Sequence, residues 1–308
     1  MKLCFKSVSK LTNKISSHIC YNCFNIAAKK LVSMLFVLHI DMDTEKMKMA
    51  RMYVGEFLAT FIFLFAVCAT TLNTPILNIP TIGPIAAGFT AFCVVFCFGG
   101  HFNTAVTLGA IFGKKMDVAT GMVYIVIQLV ASFAAIGTIN LLFPGSTNAD
   151  SLMVKPSSSS SNVAAVFMEF FLTFILVLVI FRSAMGVQVK PKIKSAESAV
   201  ANEAPAPDDA AVIGMEESRS PIETAKEYQS RVKAAETRKN HAPLVIGLTI
   251  GFLATMGGTV SGGAFNPLRP TAPAFFTLNF EYLWIYWVGD CLGGVAAGLV
   301  HYHLFEDN

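Results

Sequence analysis

Asn103 and Asn266 sit in two related phrases, "HFNTAVT" at His101–Thr107 and "AFNPLRP" at Ala264–Pro270, each in apolar surroundings. An asparagine ahead of a helix caps its free amides, and its own amide hydrogens remain available as donors. Arg269, three residues past the second asparagine, is a lone charge in an uncharged stretch, and charge at membrane depth marks function. Such groups bind a neutral, lone-pair-bearing molecule and carry out no covalent step. No nucleophile–base pair or metal-ligand cluster accompanies them, so neither an enzyme nor a cofactor or metal site is expected. Cys20-Tyr21-Asn22-Cys23 has the spacing of half a zinc site but lacks a second ligand pair nearby.

The elements that hold these groups must lie in a membrane. Of 308 residues, 54% are hydrophobic and 14% charged, against about 25% charged in soluble domains; mean hydropathy is +0.58. No Asp, Glu, Lys or Arg occurs from Phe57 to Gly113 or from Val118 to Ala149. The reading is an all-α membrane protein with six spans, near 50–72, 81–98, 118–142, 163–186, 242–260 and 282–305. Turn material, such as Asn73-Thr74-Pro75, Pro144-Gly145-Ser146 and Asn279, separates them. Two shorter apolar pieces, 103–112 and 266–276, rise only about 15 Å as helices, half a bilayer. The net charge of +3 gives no reason to expect a nucleic-acid partner.

The chain repeats itself. "EFLATFIFLFAV" from Glu56 matches "EFFLTFILVLVI" from Glu169, and "PIAAGFT" from Pro84 matches "PLVIGLT" from Pro243. Glu56 to Asn103 is 47 residues and Glu169 to Asn266 is 97, the excess being close to the length of a polar insert. Each repeat has three spans and a half-span, so the second enters the membrane upside down and the substrate path lies between the halves. Two half-helices then meet N-terminus to N-terminus. Their positive ends repel cations and hydronium, while the asparagines donate to neutral polar solutes. The glycines Gly121, Gly247, Gly251, Gly293, Gly294 and Gly298 read as close helix packing, not as a phosphate loop.

Domain organisation follows. Residues 1–48 form a cytoplasmic tail, with nine Lys/Arg against three acids before and at the edge of the first span; the positive-inside rule puts this end in the cytoplasm. Its short apolar run Leu31–Ile40 suits an interfacial helix; the basic, acid-free start is also a feature of transit peptides. Residues 49–187 and 241–308 are the two parts of the channel domain, and both termini are cytoplasmic. Residues 188–240, with nine basic and nine acidic residues, are a mostly disordered cytoplasmic insert with a helix possible over 222–239. Ser195, Ser220 and Ser230 make it a candidate kinase substrate and gate. The membrane, plasma or internal, stays open.

At this level the chain resembles the aquaporins, the major intrinsic protein family, over roughly 50–187 and 241–305. The family's paired Asn-Pro-Ala signatures appear as Asn103-Thr104-Ala105 and Asn266-Pro267-Leu268. The resemblance implies one pore per subunit in a homotetramer. It makes Glu56 and Glu169 buried supports, joined by Gln128 and His101, and Arg269 the filter arginine. His101 also has the chemistry of a pH sensor. Alignment of the halves implies a filter of Ala254, Gly263 and Arg269 with either Ala87 or Gly83, all but the arginine small. Phe63 and Leu176 form an apolar wall near the asparagines, and Phe98, Phe102 and Phe265 cluster by the half-helices. Thr104, in place of proline, implies a less rigid half-helix. Asp290, where the family usually has proline, is expected at the interface, the pore mouth or a neighbouring subunit.

The function implied is passive passage of water and small neutral solutes across the lipid bilayer, with protons and ions excluded. One alternative is a wider pore for glycerol, urea, ammonia or hydrogen peroxide. Against a typical glycerol pore, Pro270 stands where that subgroup has aspartate. A second alternative is a non-conducting adhesion or scaffold protein, its lumen plugged by the phenylalanines.

Overall fold

The computed structural model describes residues 44–77, 79, 81–143, 148–185 and 225–305. The described elements are all helical: α1 Thr44–Leu77, α2 Ile82–Phe98, α3 Thr104–Phe112, α4 Val118–Leu142, the single turn α5 Asn148–Ser151, α6 Asn162–Ile180, α7 Ala225–Gly257, α8 Leu268–Thr277 and α9 Leu283–Leu304. A π-helical turn, Phe181–Met185, extends α6. From Gly55 onward the described residues form one compact unit. The fold is that of a multi-pass membrane protein: six long helices and two half-helices in an inverted repeat. Five of the six are long and apolar enough to cross a membrane; α2, at 17 residues, is shorter and rises about 25 Å.

Two expected boundaries move. Asn73-Thr74-Pro75 is not a turn, because α1 runs on to Leu77. Its polar side chains are absorbed by the helix: the Thr70, Asn73 and Thr74 side chains each donate to the carbonyl four residues back. At the other end of the chain, residues 225–240 are not an insert separate from the fifth span. They continue through Pro243 as one 33-residue helix, because Ala, Glu, Lys and Arg are strong helix formers. The boundary at 240 is one of polarity only. Cys4, Cys20, Cys23, Leu31–Ile40, Ser195, Ser220 and Pro144-Gly145-Ser146 lie outside the described residues, as does most of the expected gate.

Large apolar side chains such as Phe96 (72% exposed), Leu141 (83%) and Leu248 (65%) point outward, a surface that suits lipid and not water. The interior is made by close helix crossings. An added Cβ at Gly88 would lie 2.8 Å from the Gly247 carbonyl oxygen, and one at Gly247 would lie 2.7 Å from that of Gly88. These are equivalent positions of the two repeats, so α2 and α7 cross at the internal two-fold. On α9, a Cβ at Gly294 would strike the Ala105 carbonyl of α3. The glycines therefore serve helix approach, as their pattern implied. Outside the span, Asp117 caps α4 by accepting from the Thr120 amide at 2.9 Å, which holds its carboxyl below the usual carboxylate range.

Gly88→Leu should destabilise the protein by about 2 kcal/mol or more, read as a lower unfolding temperature in detergent, while Phe89→Leu on the outer face should leave it unchanged. The Asp117 cap should hold above about pH 4 and be lost as pH falls through its lowered folded value; amide exchange at Thr120, faster below that pH, checks it.

Candidate functional site

The chain leaves α2 through Gly99 and Gly100, with φ of 66° and 83°, and approaches α8 through Gly262 and Gly263, with φ of 90° and 59°. Two residues after each glycine pair is a phenylalanine in the same left-handed region, Phe102 at 38° and Phe265 at 34°. That conformation is unfavourable for a bulky residue and needs outside support. The support is a buried carboxylate. Glu56 accepts from the amides of His101 at 2.8 Å and Phe102 at 2.7 Å. Glu169 accepts from those of Ala264 at 3.0 Å and Phe265 at 2.6 Å. Both glutamates are fully buried.

Each asparagine then does two jobs. Asn103 Oδ1 accepts from the Ala105 amide at 2.9 Å and Asn266 Oδ1 from the Leu268 amide at 3.1 Å, capping α3 and α8. Asn103 Nδ2 donates to the Phe265 carbonyl at 2.7 Å, and Asn266 Nδ2 to the Phe102 carbonyl at 2.9 Å. The half-helices thus meet tip to tip, each laced to the loop of the other. A carboxamide has two hydrogens; one on each asparagine is spent across the junction, and the second is left for another acceptor. Both hydrogens had been expected to serve a solute.

The supports differ between halves. In the first, Gln128 Nε2 donates to Glu56 at 2.7 Å and to Thr107 Oγ1 at 2.9 Å, while the Thr104 hydroxyl donates to Gln128 Oε1 at 3.0 Å. Thr104 thus adds a bond that a proline lacks, and α3 forms without it. His101 Nδ1 lies 3.0 Å from Thr107 Oγ1, and its ring packs against Tyr124. In the second half, Asp290 takes the place of Gln128: it stands 24 residues after Asn266, and Gln128 stands 25 after Asn103. It is fully buried, accepts from the Thr173 hydroxyl at 3.2 Å and lies beside Glu169. None of its three expected locations is correct, since α9 turns it inward toward α6. Tyr286 completes this half, its hydroxyl donating to the Ser261 carbonyl at 2.7 Å. Thr107 and Tyr286 carried no polar signal in the sequence; only the repeat register could have singled them out.

Arg269 is held by its own loop, Nη1 donating to the carbonyls of Gly262 and Gly263 at 2.9 Å each. An added Cβ at Gly263 would lie 3.1 Å from the Ala254 carbonyl, so these two candidate positions adjoin. Ala87 is buried in one apolar cluster with Phe63, Leu176, Phe102, Phe265 and Leu268. Gly83, one turn from Ala87, has open space where a Cβ would go. Phe63 and Phe102 pack with their rings tilted by 46° and 5.0 Å between centroids. Phe98 does not join them: it shares the register of Ala87, Ala91 and Val94 but is the last residue of α2, where it is 41% exposed.

Major intrinsic protein sequences match residues 43–199 and 227–301 as a family. The chain belongs to the major intrinsic protein family. Among similar members are Aquaporin-B of Dictyostelium discoideum, 33% identical over 84% of each chain, and Aquaporin TIP2-1 of Arabidopsis thaliana, 28% identical over 85% of this chain and 90% of its own. The X-ray structure of the aquaglyceroporin from Plasmodium falciparum superposes with a TM-score of 0.60 over 83% of this chain and 96% of that one, at 21% identity, a likeness of fold.

For this major intrinsic protein, Glu56→Ala should cost about 1–3 kcal/mol for each buried amide it orphans. Glu56→Gln, which keeps one acceptor oxygen, should cost less. Thermal unfolding in detergent reads the order.

Proposed function

We propose that the chain is a passive channel for water and small neutral solutes, with the path running past the asparagine pair. The observation that carries this reading is the reciprocal lacing of Asn103 and Asn266 across the two half-helix tips. Two positive helix ends at one point disfavour a cation or hydronium, while the remaining amide hydrogens donate to a passing oxygen. Phe63 and Leu176 supply the apolar wall, which leaves a solute few partners besides the asparagines. Glu56 and Glu169 act as loop supports and not as proton relays, since their oxygens are taken by backbone amides. His101 serves in the same frame.

Arg269 is the cation at the constriction, with Ala254, Gly263 and either Ala87 or Gly83 setting its width. These small residues favour a second reading within the class, a path wide enough for glycerol or urea. The Dictyostelium and Arabidopsis relatives are named aquaporins and the Plasmodium protein an aquaglyceroporin, so relatives span both readings. Assembly as a homotetramer and a cytoplasmic location for the N and C termini complete the proposal. What supports this orientation is Lys46, Lys48 and Arg51 at the start of α1 and Arg182 beyond α6, basic residues that the positive-inside rule favours on the cytoplasmic side.

Stopped-flow swelling of reconstituted vesicles tests the proposal. Water flux should exceed that of protein-free vesicles by about tenfold, with no proton conductance; absence of any solute flux would favour the scaffold reading. Ala254→Phe should cut urea and glycerol flux more than about fivefold and water less than about twofold, because the added ring narrows the passage for the larger solutes first.

A further inference from the structure

A groove of about 480 Å³ lies on the outer surface between the end of α6 and α7. Its lining changes character along the helix axes. Leu178 and Val179 on α6 and Val245 on α7 form one end; Arg182, Arg238 and His241, each one or two turns further out, border the other with the carbon parts of their side chains, their polar heads at its rim. None of the eight lining residues is acidic. The π-helical turn Phe181–Met185 that extends α6 carries Arg182, and such turns recur at functional sites. Arg182 lies 5.0 Å over the Phe305 ring at the end of α9, and His241 Nδ1 donates to the Thr237 carbonyl at 2.7 Å. Two of the three polar groups are therefore held by neighbours.

We propose that this groove binds one anionic phospholipid, its acyl chain along Leu178, Val179 and Val245 and its phosphate between Arg182 and Arg238. The order of the lining, apolar at membrane depth and cationic at the surface, is that of a lipid lying along the bilayer normal. Arginine pairs bind phosphate through charge-assisted, two-pronged hydrogen bonds, and basic clefts between helices on the cytoplasmic side select anionic headgroups. Arginines at a helix end also snorkel to any headgroup; a site differs in holding one lipid through purification.

Native mass spectrometry of the full chain, loaded with phosphatidylglycerol or phosphatidylcholine of the same acyl chains, tests this. One phosphatidylglycerol should be retained, with phosphatidylcholine at least about tenfold less. Arg182→Gln with Arg238→Gln should lose that preference, and the corresponding Arg→Lys pair should keep most of it. Val245→Trp, which fills the apolar end, should lower retention, and Lys233→Gln, on α7 outside the groove, should not. Equal retention of both lipids, or an unchanged preference in the double glutamine variant, overturns the proposal. Displacement by inorganic phosphate alone, with no effect of Val245→Trp, means a free-anion site and also overturns it. So does lipid binding that appears only after residues 190–220 are deleted, which would make that acidic stretch the occupant. Circular dichroism and size exclusion of the variants separate lost binding from lost fold.

Discussion

Broken backbone at the middle of a bilayer must find hydrogen-bond acceptors, and the rest of this structure depends on where it finds them. Lipid offers none. Glu56 and Glu169 answer by turning both carboxylate oxygens onto the loop amides that precede each half-helix. Those bonds stabilise left-handed phenylalanines, and the phenylalanines in turn present carbonyls to the opposite asparagine. Two like helix poles would otherwise push apart. The carboxylates behind them and the two crossed amide bonds hold the tips together.

Much of this was legible in the primary structure, because the chain states it twice. Matching Glu56 with Glu169, Gly88 with Gly247 and Asn103 with Asn266 places six residues by one symmetry, and the geometry follows it. What was not legible falls where the halves differ. Asp290 reads as an oddity along the chain. Only register within the repeat makes it the counterpart of Gln128, because side-chain direction on an apolar helix leaves no periodic trace when every face is apolar. Phe98 misled for another reason: its register matches the buried face of α2, but it is the last residue of that helix, where the burial runs out. The first-span boundary was missed because Thr and Asn read as turn residues in water, whereas in a membrane helix they bond to the preceding turn.

The asymmetry has a physical sense. The first half backs Glu56 with Gln128, Thr104, Thr107 and His101. The second uses Glu169 with Asp290, Thr173 and the Tyr286–Ser261 bond. The second loop must also hold Arg269, which it does through the carbonyls of two consecutive glycines whose positive φ values are strained for other residues. One loop therefore serves rigidity, and the other rigidity together with a fixed cation.

The contact between Gly88 and Gly247 has a consequence for how such a chain can drift. Most packed pairs tolerate change by trading volume, one partner growing as the other shrinks. Here each glycine faces the backbone oxygen of the other, and neither has a side chain left to give up. The crossing sits on the internal dyad with no room for exchange, so the two halves, free to diverge in their supports, remain bound to a common alphabet at this one point.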